Sequence, residues 1–142
     1  MFTNILVALD GSEASQRALS QAVDLAKLCN AKLHTVYVVE TGLFSSLPLD
    51  NTVEIMYSVL EKEGDEVQER AEKFAAGKGI TLITHLAQRH AGSEIIALAE
   101  QEKSDLIIVG SHGKSNTDRL LIGSVSTFVV THSTATTMVV RS

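Results

Sequence analysis

Leu106-Ile107-Ile108-Val109-Gly110-Ser111-His112-Gly113, followed after nine residues by Gly123-Ser124-Val125-Ser126, is the stretch on which the reading of this chain turns. An apolar run of strand length ends in a glycine-rich loop, and a further glycine opens what reads as a helix. In α/β proteins a strand that feeds a helix through such a loop holds phosphate. The unpaired N–H groups of the helix start and the positive end of its dipole both favour an anion. Glycine lets the main chain come close to the ligand. The pattern points to nucleotide binding.

Two familiar phosphate motifs fail on spacing. Gly113-Lys114-Ser115 looks like the end of a P-loop, but the glycine required five positions earlier is Ile108, inside the strand. Gly110 and Gly113 are separated by two residues with no third glycine suitably placed, so the dinucleotide fingerprint fails as well. What remains is G-x2-G-x9-G-S, from Gly110 through Gly113 to Gly123 and Ser124.

Outward from this stretch, strands and helices alternate. Thr3 to Leu9 reads as a buried strand. Asp10-Gly11-Ser12-Glu13 reads as a turn with a capping box, Asp10 being the N-cap and Glu13 its partner. Ala14, Ala18, Ala22, Leu25, Ala26 and Cys29 keep helical spacing to a stop at Asn30. Leu33 to Val39 is a second strand, apolar enough to be covered on both faces. Glu40 to Asn51 is a long connection that holds Pro48 and is rich in Leu43, Phe44, Leu47 and Leu49. It reads first as a packed satellite cluster, with a lid or a partner contact as the alternatives. A helix follows on Val53, Met56, Leu60, Val67, Ala71 and Phe74, with Gly64 interrupting it and Gly77 and Gly79 ending it. Ile80 to Leu86, Ser93 to Glu102, Leu106 to Val109, Gly123 to His132 and Thr136 to Val140 read as strand, helix, strand, helix and strand. This βαβαβαβαβ order predicts a parallel sheet with right-handed crossovers and helices on both faces. Ligands of such sheets lie beyond the carboxyl ends of the strands, where the strand order reverses. Periodicity leaves that order open.

Composition sets bounds. The 142 residues suit a single domain over 1–142. At 44% hydrophobic and 20% charged, the chain is expected to be an ordered globule. A net charge of −5 argues against a nucleic-acid surface. The lone Cys29 forms no internal disulfide and suits a reducing compartment. No signal segment is visible and no apolar run reaches about 18 residues, so the expectation is cytoplasmic, with no membrane contact.

The motif G-x2-G-x9-G-S resembles the nucleotide-binding signature of the universal stress protein family, in its ATP-binding branch. Ile5-Leu6-Val7-Ala8-Leu9-Asp10-Gly11-Ser12 is similar to the family's first strand and aspartate turn. Ala31 to Val39 resembles its second strand, and Ser104 to Gly110 with Leu121 to Ser126 its C-terminal half. The resemblance spans the chain and is weakest between Thr41 and Thr81. It implies strand order 3-2-1-4-5, an adenine-nucleotide α-hydrolase-like Rossmann-type sandwich. The switch point then falls between the first and fourth strands, whose loops carry Asp10 and Gly110-Gly113.

The resemblance also implies a ligand, ATP with ADP or AMP as alternatives, and Mg²⁺ bridging its phosphates. On this reading Asp10 contacts the ribose or the metal-phosphate region, the backbone near Val38 contacts adenine, and Ala8 leaves room beside it. Gly110, His112, Gly113, Gly123, Ser124, Val125 and Ser126 form the phosphate end. Each has a plainer role. Asp10 and Ser124 suit helix caps, the glycines suit turns, and Val38 suits the core. Lys114 and Arg119 read as solvated loop charge before a phosphate clamp. His112 has no visible partner that would make it a base, and His34, His85, His90 and His132 are scattered, without metal-ligand spacing. No catalytic residue is assigned.

The resemblance further implies a homodimer through the last strand, Thr136 to Val140, although Ala135-Thr136-Thr137 stands where the family commonly has a proline. The function expected is an ATP-binding stress-response or regulatory protein, with nucleotide as ligand or slowly hydrolysed switch. The alternatives are a weak ATPase, which lacks a P-loop and general base, and a nucleotide-independent interaction dimer. A flavin module is a weaker idea, with two tyrosines and no tryptophan for stacking.

Overall fold

The computed structural model describes residues 1–40, 51–112 and 123–141. Among these residues five strands alternate with four helices: β1 (Asn4–Leu9), α1 (Glu13–Cys29), β2 (Lys32–Glu40), α2 (Asn51–Gly77), β3 (Leu82–Arg89), α3 (Ala91–Gln101), β4 (Leu106–Gly110), α4 (Ser124–His132) and β5 (Thr136–Val140). All pair in parallel, in the order β3-β2-β1-β4-β5. The register runs from Asn4↔Lys32 to Leu9↔Tyr37 between β1 and β2, and from Ile5↔Leu106 to Val7↔Ile108 between β1 and β4.

The strands read as continuous apolar runs because both faces are covered. Ile5, Val7, Leu33, Leu106 and Ile108 pack beneath α1 and α2 with Ala18, Ala22, Val67 and Ala71. Leu6, Val36, Ile107 and Val109 point to the other face and pack with Ile95 of α3 and Val129 of α4. Burying each such side chain stabilises the fold by roughly 1.5–3 kcal/mol. At the amino ends of the central strands Asp105 ties β1 to β4. Its carboxylate accepts from Thr3 N (2.9 Å), Thr3 Oγ1 (3.0 Å) and Asn4 N (3.0 Å).

Several local expectations are corrected. The N-cap of α1 is Ser12, whose Oγ accepts from Ser15 N at 3.1 Å. Asp10 instead closes a side-chain turn, accepting from Ser12 N at 2.8 Å across Gly11 at φ +82°. Glu13 turns away from the cap to Arg17, 3.3 Å distant. Gly64 does not interrupt α2. A Cβ there would lie 2.6 Å from Tyr37 Cδ1 and 2.9 Å from Leu86 Cδ1, so glycine is what lets the helix lie against β2 and β3. The third strand begins at Leu82, two residues later than its pattern suggested, because Ile80 N still bonds Ala75 O at 2.9 Å as the end of α2. It runs on to Arg89 through pairing with Val39 and Glu40. Met56 and Phe74, expected on the apolar face of α2, are each 40% exposed. Pro48 and the apolar side chains at 43, 44, 47 and 49 lie outside the described residues.

Candidate functional site

The strand order reverses between β1 and β4, and the chain leaves β1 on one face and β4 on the other. At that point, on the α3–α4 face, a crevice of about 400 Å³ opens beyond the carboxyl ends of the strands. That volume falls within the range of small-ligand sites, roughly 300–1,000 Å³. Ala8 and Asp10 from the end of β1, Val38 from β2 and Gly110 from β4 form its floor. His112, Gly123, Ser124, Val125 and Ser126 form one wall. Nine of the ten residues expected at a site thus converge on one crevice, and the tenth, Gly113, lies outside the described residues, as do Lys114 and Arg119. A smaller cleft of about 220 Å³ between α1 and α2, lined by Leu19, Val67 and Phe74 among others, contains none of them.

The wall is built around the start of α4. Gly123 is its N-cap, so Ser124 is the first helical residue and not the cap. Gly123 supplies no side-chain acceptor, so among the described residues no side-chain cap bond covers the first N–H groups of the helix. The chain departs at His112 and is brought back when Gly123 N donates to Ser111 O at 2.5 Å. Ser111, which the sequence did not single out, is fully buried, and its N–H donates to Val140 O at 2.8 Å. The hydroxyl of Ser126 donates to Gly110 O and so anchors the first turn to β4. His112 Nδ1 lies 3.1 Å from Ser111 Oγ.

Gly110 has a structural reason to be glycine. A Cβ there would lie 2.8 Å from the backbone carbon of Ala14, so α1 can approach β4 only if that atom is absent. Asp10 has one carboxylate oxygen committed to Ser12 N, and its other oxygen takes no hydrogen bond among the described residues.

The opposite wall was missed in the sequence. Ala91 and Ile95 of α3 line it, with Val36 and Glu40 of β2. Period-two alternation was the available signal, since Val36 and Glu40 share the face of Val38. α3 begins at Ala91, two residues before its pattern suggested, because Glu40 caps it: Ala91 N donates to Glu40 Oε2 at 3.1 Å.

The histidines are less scattered than their numbering implied. β2 and β3 bring His34 Nδ1 within 3.0 Å of His85 Nε2, with the rings stacked 5.3 Å apart. Burial first, then the neighbouring His85, lowers the pKa of His34 below its ordinary value. Neither ring lines the crevice. Among the described residues no three His, Cys, Asp or Glu side chains group as a metal site, and no helix is long and apolar enough to cross a membrane.

A doubly wound parallel sheet with a crevice at its switch point defines the class of α/β fold. The chain belongs to the universal stress protein family, whose family model matches residues 1–141. Universal stress protein YxiE of Bacillus subtilis is 34% identical over 148 residues, covering 99% of this chain and 100% of that protein. Among solved structures, universal stress protein UspA from Lactobacillus plantarum matches with a TM-score of 0.90 at 28% identity, over 98% of this chain and 97% of the other. A universal stress protein in complex with cAMP matches with a TM-score of 0.70 at 25% identity, over 99% and 97%.

Proposed function

We propose that this protein is a single-domain, ATP-binding stress-response or regulatory protein, with the nucleotide as ligand or slowly hydrolysed switch. The observation that carries this reading is the start of α4, whose first residues, Ser124 to Ser126, line the crevice behind a glycine cap with no side-chain acceptor of its own. An anion is the natural complement of such a helix start. Adenine and ribose then extend along Ala8, Asp10 and Val38, toward β2. That a family member forms a complex with cAMP supports an adenine nucleotide as the ligand class.

Mg²⁺ fits the residues present. It is commonly held by one or two carboxylates together with substrate phosphates and water. Asp10, with one oxygen outside its turn, is the carboxylate that would hold it. Bound there, the ion would neutralise phosphate charge.

The homodimer through Thr136–Val140 belongs to the same proposal. β5 is the last strand of the sheet, paired to β4 from Leu106↔Thr136 to Gly110↔Val140. Edges of this kind pair readily with a second copy.

Gly123→Asp tests the reading. Gly123 sits at φ −67°, ψ 165°, a conformation open to any residue, and aspartate is a favoured N-cap. The substitution therefore keeps or slightly raises stability while placing a carboxylate where phosphate belongs. ATP affinity is expected to fall about a hundredfold, the loss of one to two charge-assisted hydrogen bonds. Unchanged affinity would overturn the assignment.

A further inference from the structure

Two helices begin at the crevice, and the chain treats their starts differently. α4 has no side-chain acceptor at its cap. α3 has none from its own cap residue either, since His90 makes no side-chain capping bond. Glu40 supplies it from the end of β2. Glu40 Oε2 accepts from Ala91 N at 3.1 Å, and Oε1 lies 3.4 Å from His90 Nδ1. The turn that presents these donors is held open by Arg89, the register partner of Glu40, at φ +102°. Such a conformation costs a non-glycine residue on the order of 1–3 kcal/mol, so the surrounding structure holds it in place.

The carboxylate is fixed without being sealed. The Glu40 side chain remains 38% exposed, and it lines the same crevice as Val38 and Ala8. Each carboxylate oxygen has two acceptor sites, so one partner on each leaves capacity facing the ligand. The crevice is thus electrically polar. At the α4 end it presents N–H donors and the positive end of a helix dipole. At the α3 end the equivalent donors are masked by a full negative charge. A polyphosphate is repelled from the α3 end, and an amino-bearing base is attracted to it.

On the nucleotide reading above, on which this rests, we propose that Glu40 is a specificity residue that reads the base. Its carboxylate accepts a hydrogen bond from the exocyclic amino group of a 6-aminopurine and sets the polarity of the bound nucleotide, base toward α3 and phosphates toward α4. A carboxylate at this position can only accept. A 6-oxopurine would turn an acceptor toward an acceptor, and a polar pair left unmatched in this way discriminates between the two bases.

The test is the ratio of affinities for ATP and ITP in the wild type and in Glu40→Gln, with inorganic triphosphate as a third ligand. The glutamine oxygen can still accept from Ala91 N, so the cap on α3 is kept, while its NH₂ group offers a donor to a 6-oxo group. The wild type is expected to prefer ATP by about tenfold or more, the worth of one charge-assisted hydrogen bond. In Glu40→Gln the ratio is expected to fall at least about tenfold toward parity or inversion, with affinity for triphosphate held or raised. An unchanged ATP:ITP ratio would make Glu40 a helix cap only and overturn the proposal. So would a parallel loss of all three ligands, which marks general damage to the crevice. A wild type that binds none of the three removes the nucleotide reading itself, a result distinct from binding without discrimination.

Discussion

At the amino ends of β1 and β4, Asp105 accepts three hydrogen bonds from Thr3 and Asn4. At the carboxyl ends of the same strands, the Asp10 carboxylate accepts one bond among the described residues, from Ser12 N, and the first N–H groups of α4 meet no side-chain acceptor from Gly123. The chemistry is the same, carboxylates and backbone donors around the two central strands. At one end the chain satisfies it internally, which holds strands together that are about a hundred residues apart in sequence. At the other end, among the described residues, the Asp10 carboxylate keeps spare capacity and the α4 start has no side-chain cap, which suits the proposed ligand. On the proposed function, stability and binding are separated along the strand axis, and substitutions should separate them too.

The largest expected effect lies where the two roles meet. Gly110→Val drives a branched side chain into the backbone of Ala14. It should destabilise the protein by about 3 kcal/mol, as overpacking does, which urea unfolding will register. A variant as stable as the wild type would mean that α1 can retreat from β4. Next is Asp105→Ala, which removes the acceptor for three donors and should cost about 2 kcal/mol, leaving ATP affinity unchanged. Burial alone would raise the pKa of Asp105, but the hydrogen bonds from Thr3 and Asn4 outweigh it and hold the value below the ordinary 3.8. The stabilisation is therefore complete above pH 3.8 and is lost as pH falls through the lower folded value. A loss of nucleotide affinity in this variant would break the separation of the two ends.

Asp10→Asn should act in the opposite sense. Its amide oxygen can still accept from Ser12 N, so the turn and the melting temperature survive within about 0.5 kcal/mol. Mg²⁺-dependent enhancement of ATP binding should disappear while adenosine binding is retained. Equal weakening of both ligands would assign Asp10 to the turn alone. The smallest effect concerns His34, away from both ends. Its lowered pKa means that the unfolded chain takes up the proton more readily, so stability is complete above pH 6.5 and declines below it toward the folded value. His34→Gln should flatten the fall in melting temperature between pH 7.5 and 5.5. The same slope in both proteins would move that dependence to another group.

How far the sequence disclosed this molecule depended on whether a feature is local. β1, β2 and β4 were legible because strands buried on both faces become continuous apolar runs, and Gly123 to Ser126 because a glycine-opened helix is a compact signal. Strand order came through resemblance, and so did the expectation of a site at Ala8 and Val38, which line the crevice. Ser12 and Asp10 compete for one cap within three residues, and composition does not rank two good acceptors. The remaining features depend on contacts between distant segments. Glu40 caps α3 from 51 residues away, and His34 meets His85 across the same separation. Gly64 reads as a helix breaker until Tyr37 and Leu86 are seen against it.

The most direct test of the central claim is titration calorimetry of the nucleotide-stripped protein with ATP and Mg²⁺, beside Gly123→Asp. Saturable binding near one ATP per chain is expected in the wild type, weakened about a hundredfold in the variant. No heat at several temperatures, with no adenine nucleotide in the denatured extract of the purified protein, would contradict it.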